Sequence, residues 1–211
     1  MGITFITGGA RSGKSSFAQK LATEKNKDRV AEIAEVAYLA TSLIGDAEML
    51  RRVKIHRDSR PTDWITVEEP YELSRALDNL PPTVDIVLVD CLTVWLSNLL
   101  FRYLEKKDSS WANKEEHWQE AEKPSPWDAS IIKEEALEKH LFTQVKQFTE
   151  TAEKFPGTLI LVSNEVGSGI VPEHYLGRLF RDIAGKTNQI IAAKAEKVYL
   201  VVAGIPWKIK G

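Results

Sequence analysis

The stretch that decides the fold of this chain is Ile3-Thr4-Phe5-Ile6-Thr7-Gly8-Gly9-Ala10-Arg11-Ser12-Gly13-Lys14-Ser15. From Gly8 onward it matches G-x-x-x-x-G-K-S, a phosphate-binding loop, between a strand-like apolar run and a helix-like stretch. The glycines let several backbone N–H groups face one anion, and the helix start adds its positive dipole end. The alternative is a glycine-rich turn that matches by chance. We predict that the chain binds a nucleoside triphosphate.

Individual side chains of this loop, and one acid further along, suit phosphate chemistry. Lys14 can reach the β- and γ-phosphates, and the Ser15 hydroxyl can ligate Mg²⁺. The apolar run that starts at Val84 ends in Asp90, where phosphate-loop proteins commonly place an acid that holds Mg²⁺. An aspartate there can also merely cap the next helix. We favour the metal role, so Ser15 and Asp90 are the predicted metal residues and Lys14 is a predicted catalytic residue.

Composition limits the class of protein. The chain has 211 residues, which suits one α/β domain with a sizeable core. Its formal net charge of −2 gives no case for nucleic-acid binding, and no apolar run approaches the length of a membrane span. One cysteine excludes an internal disulfide, and four scattered histidines do not indicate a zinc site. We expect a cytoplasmic protein.

Short apolar runs alternate with amphipathic stretches, which predicts a mostly parallel sheet flanked by helices. The predicted strands are Ile3–Thr7, Val36–Ala40, Ile86–Val89, Leu159–Ser163 and Val198–Val202. The predicted helices are Ser15–Ala22, Ala47–His56, Leu73–Asn79, Thr93–Tyr103, Ser130–Lys154 and Glu173–Ala195. With the phosphate loop, this pattern predicts a P-loop NTPase-like α/β fold with RecA-like strand order. The whole chain, 1–211, is taken as one nucleotide-binding domain.

A polar, charged segment at about 104–128 stands apart from this pattern. It contains Trp111, Trp118 and Trp127 between two predicted helices. A long connection inside a compact domain is commonly an insertion, a lid or a mobile loop. The tryptophans could cover a large flat ligand or pin the segment onto the body, and we favour pinning.

A histidine among cations forms a second chemically loaded segment, which runs from Arg51 to Pro61. An imidazole is substantially neutral at cellular pH, and neighbouring cations oppose its protonation. His56 could therefore attack the α-phosphorus of a nucleotide and form a covalent intermediate as pyrophosphate leaves. The competing interpretation is a solvated basic helix face with an incidental histidine. Spacing alone favours that second interpretation.

Several motifs together point to one family over nearly the whole chain. Besides the phosphate loop they are, in order, Ala40-Thr41-Ser42, His56-Arg57-Asp58-Ser59-Arg60-Pro61 with Trp64, Val89-Asp90-Cys91-Leu92-Thr93, Ser163-Asn164-Glu165-Val166-Gly167, Gly169-Ile170-Val171-Pro172, Arg181-Asp182-Ile183-Ala184-Gly185 and Asn188-Gln189. This ordered set resembles the bifunctional adenosylcobinamide kinase/adenosylcobinamide-phosphate guanylyltransferases of cobalamin biosynthesis. The phosphate loop alone would match many unrelated NTPases.

The resemblance implies two reactions. The hydroxyl of the cobinamide aminopropanol arm is phosphorylated by ATP or GTP, and that phosphate then receives GMP from GTP as pyrophosphate leaves. The resemblance also implies that His56 carries the guanylyl group, which reverses the preference from spacing. The remaining nucleotide-site residues it implies, beside Gly8 to Ser15, are Thr41, Ser42, Arg57, Asp58, Ser59, Arg60, Glu68 and Asp90.

Other expectations follow from the same resemblance. It implies a homo-oligomer, specifically a trimer, while Mg²⁺ is the cofactor that the phosphate loop and Asp90 predict. Arg178 and Arg181 could add charge at a phosphate, build a subunit interface or pair with Asp182, and we favour the structural roles. Two alternatives stay open: a P-loop small-molecule kinase without guanylyl transfer, and a nucleotide-dependent regulatory switch.

Overall fold

The computed structural model describes residues 2–27, 35–43, 51, 54, 57, 60–107 and 134–211. These residues form one seven-stranded sheet with helices on both faces. Its strands are β1 (Gly2–Thr7), β2 (Glu35–Ala40), β3 (Ile65–Glu68), β4 (Val84–Asp90), β5 (Thr158–Val162), β6 (Lys197–Val202) and β7 (Ile205–Lys210). The helices are α1 (Lys14–Lys27), α2 (Leu73–Asp78), α3 (Leu92–Lys107), α4 (Glu134–Lys154) and α5 (Tyr175–Lys194).

The strand order is β3-β2-β4-β5-β1-β6-β7, and only the β6–β7 pair is antiparallel. Strand β5 therefore lies between β1, which leads into the phosphate loop, and β4, which ends at Asp90. This arrangement confirms the predicted P-loop α/β fold with RecA-like strand order. It also puts the carboxyl ends of β1, β5 and β4 at one edge, where ligands of open α/β sheets bind.

Both faces of the sheet are buried, so the central strands are mostly apolar. In β1, Ile3 and Phe5 pack in the cluster that α2 to α5 cover, whereas Ile6 joins the cluster under α1. The larger cluster is centred on Trp95 and Phe148, whose ring centroids lie 5.5 Å apart. Two packed faces hold the loop between β1 and α1 in a fixed position.

All five predicted strands are present, within two residues at each end, but β3 and β7 were not predicted. Strand β3 has four residues and half-exposed side chains at one edge, so its periodicity is weak. Strand β7 is exposed along its length and contains Pro206, a residue suited to an edge strand. It returns beside β6 through Ala203 and Gly204, whose φ angles of 50° and 81° suit a two-residue hairpin turn.

Helix boundaries differ from the predictions at several ends. Helix α1 continues five residues beyond the predicted Ala22, to Lys27. Helix α3 continues to Lys107, and Leu104 is buried in the larger cluster. The first residues of the polar segment predicted at 104–128 are therefore helical. The rest of that segment lies outside the described residues, as does most of the predicted helix Ala47–His56. Among the helices that the structure describes, none is long and apolar enough to cross a membrane.

Candidate active site

The loop between β1 and α1 needs its first and last glycines. Gly8 has φ of 152°, and a Cβ there would lie 2.3 Å from the carbonyl oxygen of Val201. Gly13 has φ of 95°, and a Cβ there would lie 3.1 Å from Gly204 Cα. The hairpin after β6 therefore presses against the loop, and Gly204 N–H donates to Ser12 O at 2.8 Å. This close packing presets the loop backbone before any phosphate arrives.

Lys14 begins α1 and is almost fully buried, at 6% exposure. Its Nζ donates to Gly9 O at 2.6 Å, so the ammonium lies folded over the loop. Burial lowers the pKa of Lys14, while negative charge on neighbours, Asp90 and Glu165 among them, opposes this effect. A phosphate in the loop would offer the ammonium a charged acceptor in place of a carbonyl.

Asp90 is the last residue of β4, which lies two strands away from β1. One of its carboxylate oxygens already accepts a hydrogen bond. Tyr38 donates its hydroxyl to Asp90 Oδ2 at 2.8 Å. Burial of Tyr38, and then the charge of Asp90, raise the pKa of that phenol, which keeps it a donor. Within the described residues, no donor is paired with Oδ1. The bond therefore fixes the carboxylate and leaves its second oxygen available.

The donors at this edge suit Mg²⁺ better than a transition metal. The described part of the chain contains no cluster of three or more His, Cys, Asp or Glu side chains able to hold a metal. Ser15 and Asp90 supply one hydroxyl and one carboxylate oxygen. Mg²⁺ is commonly held by one or two carboxylates while water and substrate phosphates complete its shell. The residues therefore fit a magnesium ion that arrives with the nucleotide.

Arg60 brings a cation to the same edge. Its guanidinium carbon lies 3.4 Å from the centroid of the Tyr38 ring, within range of a cation–π contact. Its Nε is buried and has no hydrogen-bond partner among the described residues. Since a buried donor without a partner costs free energy, an incoming anion at this position would relieve that cost.

The other predicted nucleotide-site residues fall into three groups. The Thr41 hydroxyl is fully buried, donates to Cys91 O at 2.9 Å and accepts from Cys91 N–H at 2.8 Å, so it joins the ends of β2 and β4. Ser42 follows it, half-buried. Arg57 Nη2 pairs with Glu68 Oε1 at 3.0 Å on the exposed side of β3. His56, Asp58 and Ser59 lie outside the described residues.

A polar chain that we did not predict crosses the same edge. Thr7 Oγ1 donates to Glu165 Oε1 at 2.6 Å, and Asn188 Nδ2 donates to the same oxygen at 3.0 Å. Ser163 Oγ donates to Asn188 Oδ1 at 2.7 Å and lies 3.0 Å from Thr93 Oγ1. A signal was present, because Ser163 and Glu165 lie within three residues of the end of the buried strand β5. Polar residues after adjacent parallel strands meet at one edge.

Arg181 makes the pair with Asp182 that we favoured from the sequence, whereas Arg178 makes contacts that we did not predict. Arg181 Nε pairs with Asp182 Oδ1 at 2.9 Å. Arg178 Nη1 donates to Pro172 O at 3.1 Å and also to Glu173 O, which ties the loop before α5 to that helix. Both guanidinium groups are therefore engaged in contacts around α5.

Cys91 supplies a direct test of how tightly this edge is packed. Burial, and then the nearby charge of Asp90, raise the pKa of its thiol to about 12. Because only the thiolate is nucleophilic, we expect native protein at pH 8 to react with a disulfide reagent roughly a thousandfold more slowly than unfolded protein. The chain has one cysteine, so the released chromophore reports this thiol alone. Equal native and unfolded rates would contradict the buried position.

Comparison with known proteins finds similar sequences over nearly the whole chain. Residues 4–209 match the family model described as cobinamide kinase / cobinamide phosphate guanyltransferase. The chain is 39% identical over 205 residues to the bifunctional adenosylcobalamin biosynthesis protein CobU of Escherichia coli, covering 97% of this chain and 98% of that protein. It is 38% identical to CobU of Salmonella typhimurium, over 97% and 98% of the two chains. It is also 38% identical to the bifunctional protein CobP of Pseudomonas aeruginosa, over 98% and 96%.

Solved structures are similar at much lower identity. A KaiC-like protein from Pyrococcus horikoshii aligns with a TM-score of 0.44 at 12% identity, over 94% of this chain and 70% of the other. A second solved structure, the ATPase domain of another protein, aligns with a TM-score of 0.46 at 12% identity, over 94% and 68%.

Proposed function

Because the chain belongs to the cobinamide kinase / cobinamide phosphate guanyltransferase family, we propose that it carries out both reactions in adenosylcobalamin biosynthesis. The first phosphorylates the hydroxyl of adenosylcobinamide with ATP or GTP. The second transfers GMP from GTP to the resulting phosphate, which yields adenosylcobinamide-GDP and pyrophosphate. The observation that carries this proposal is the buried Lys14 in a preset phosphate loop, at the edge where Asp90 ends β4.

In the kinase reaction, Gly8 to Ser15 hold the triphosphate. Their backbone N–H groups and the ammonium of Lys14 neutralise charge on the β- and γ-phosphates as the terminal phosphoryl group moves to the acceptor. Ser15 and Asp90 would hold Mg²⁺, which supplies further neutralisation of phosphate oxygens when bound. The bond from Tyr38 fixes the orientation of Asp90 for that contact.

In the guanylyl reaction, we assign the nucleophile to His56. A ring nitrogen attacks the α-phosphorus of GTP, an N–P bond forms, the bond to the bridging oxygen breaks, and pyrophosphate leaves. A phosphate oxygen of cobinamide phosphate then attacks the same phosphorus and releases the imidazole. Arg60 supports this role because its buried Nε has no described partner and could bind a phosphate oxygen.

The remaining roles are proposed on the family likeness and on local contacts. Arg57, Asp58, Ser59 and Glu68 would line the GTP site, and the exposed Arg57–Glu68 pair would let either side chain turn toward the nucleotide. We propose that Thr41 acts through its bonds to Cys91, which hold the β2 and β4 ends, with Ser42 beside it. A homotrimer in the cytoplasm completes the proposal.

The function is tested by following both products. Purified protein is incubated with adenosylcobinamide, ATP and MgCl₂, and corrinoid phosphate is measured; GTP is then added and pyrophosphate is measured. We expect corrinoid phosphate first and stoichiometric pyrophosphate with each GMP transferred. A kinase without guanylyl transfer would stop at the first product. A regulatory switch would give neither product over multiple turnovers, and either result would overturn the bifunctional assignment.

A further inference from the structure

Glu165 lies where the phosphate loop and the Asp90 edge meet. Strand β5 runs between β1 and β4, and its last residue, Val162, is aligned with Ile6 on one side and Asp90 on the other. Glu165 follows three residues later, and its N–H donates to Gly8 O at 3.0 Å. Its backbone is thus tied to the first residue of the phosphate loop.

The Glu165 carboxylate is held by one oxygen only. Oε1 accepts from Thr7 at 2.6 Å and from Asn188 at 3.0 Å. Asn188 is itself fixed, because it accepts from Ser163 at 2.7 Å and donates to Asn164 O at 3.1 Å. Among the described residues none is paired with Oε2, and the side chain is half-buried rather than enclosed. The fixed oxygen therefore orients a second oxygen that a ligand can reach.

The hydrogen bonds of Glu165 do not require its negative charge. A neutral amide oxygen of glutamine would accept the bonds from Thr7 and Asn188 equally well. A carboxylate beside a bound triphosphate instead adds repulsion between like charges. Its charge acts on Lys14, where it helps keep the buried ammonium protonated. Besides this effect on Lys14, the charge would serve the reaction directly if the free oxygen accepts a proton from the substrate.

We propose that Glu165 Oε2 accepts the proton of the substrate hydroxyl in the kinase reaction. This inference rests on the kinase half of the proposed function. The hydroxyl oxygen attacks the γ-phosphorus, the new O–P bond forms as the bond to the β-phosphate oxygen breaks, and the nucleoside diphosphate leaves. The hydroxyl proton moves to Oε2. Attack of a neutral imidazole on an α-phosphorus releases no such proton, so the guanylylation of the enzyme does not need Glu165.

The test compares the two half-reactions in Glu165→Gln, which keeps the size of the side chain and an oxygen for Thr7 and Asn188. We expect kinase kcat to fall about 10²- to 10⁴-fold, the usual contribution of a positioned base. The KM for ATP and the label incorporated from α-labelled GTP should stay within about threefold of wild type, because phosphate binding is retained. Glu196→Gln is the control. Glu196 is exposed and directly precedes β6, at the edge of the sheet away from the phosphate loop, so this variant should leave both reactions unchanged.

Two results overturn the inference. Equal losses in both half-reactions would show that Glu165 only supports the loop, and a kinase kcat within fivefold of wild type would show that no base is needed there. If the glutamine variant does not fold, Glu165→Asp decides by the same comparison, since the shorter side chain withdraws the carboxylate. A wild-type protein without kinase turnover would overturn the proposed function itself, independently of Glu165.

Discussion

Lys14→Ala is expected to lower kinase turnover by about 10²- to 10³-fold, the usual cost of removing one preorganised group that stabilises charge in a transition state. Lys14 is buried, at 6% exposure, and its Nζ donates to Gly9 O at 2.6 Å, so the variant removes a positive charge from the phosphate loop itself. The KM for ATP should also rise, because the contact that we propose between Lys14 and the phosphates is made in the ground state as well. Initial rates at varied ATP and fixed adenosylcobinamide separate the two effects.

The same variant tests whether the two reactions share one phosphate site. If this loop binds GTP during guanylylation, the amount of label incorporated into the protein from α-labelled GTP should fall together with the kinase rate. Lys20→Ala is the control, because Lys20 is exposed on the same helix and, among the described residues, pairs with Glu24 at 3.8 Å. Full kinase activity in Lys14→Ala would contradict the assignment of the loop. Loss of kinase activity with unchanged labelling would place GTP elsewhere during guanylylation.

The parts of the site that could be predicted are those formed by residues consecutive in the sequence. The phosphate loop is one uninterrupted motif with a strand before it and a helix after it, so its position and its need for Gly8 and Gly13 could be predicted locally. Asp90 could be predicted because a buried strand that ends in an acid is visible in the sequence. These two features also predict where β1 and β4 end, and hence the edge at which the site lies.

The parts that could not be predicted depend on pairs far apart in the chain. The bond between Thr7 and Glu165 spans 158 positions, and that between Tyr38 and Asp90 spans 52. Such contacts follow from the strand order, and several orders are compatible with the same alternation of strands and helices. Strand β7 was missed for a different reason: its exposed residues lack the buried face on which periodicity depends.

His56 presents the opposite case, since spacing alone favoured a solvated basic face and only the family likeness assigns it a role. His56→Ala is expected to abolish labelling of the protein by α-labelled GTP and to reduce GMP transfer about 10⁴-fold or more, as removal of a covalent nucleophile commonly does. Kinase turnover with ATP should stay within about threefold, because the phosphoryl transfer that we propose depends on Lys14 and needs no imidazole. Pyrophosphate release and corrinoid phosphate formation measure the two reactions separately.

The chemistry of the label distinguishes His56 from other acceptors. A phosphoramidate on imidazole is labile in acid and stable in base, unlike an ester on serine or threonine. His140→Gln is the control, because His140 lies on α4 with its ring 5.0 Å from that of Tyr103, and labelling should persist there. Labelling that survives in His56→Ala but disappears in another histidine variant would move the nucleophile. If the wild-type protein transfers GMP but no label can be trapped on it, the corrinoid phosphate attacks GTP directly. His56 would then only bind the GTP.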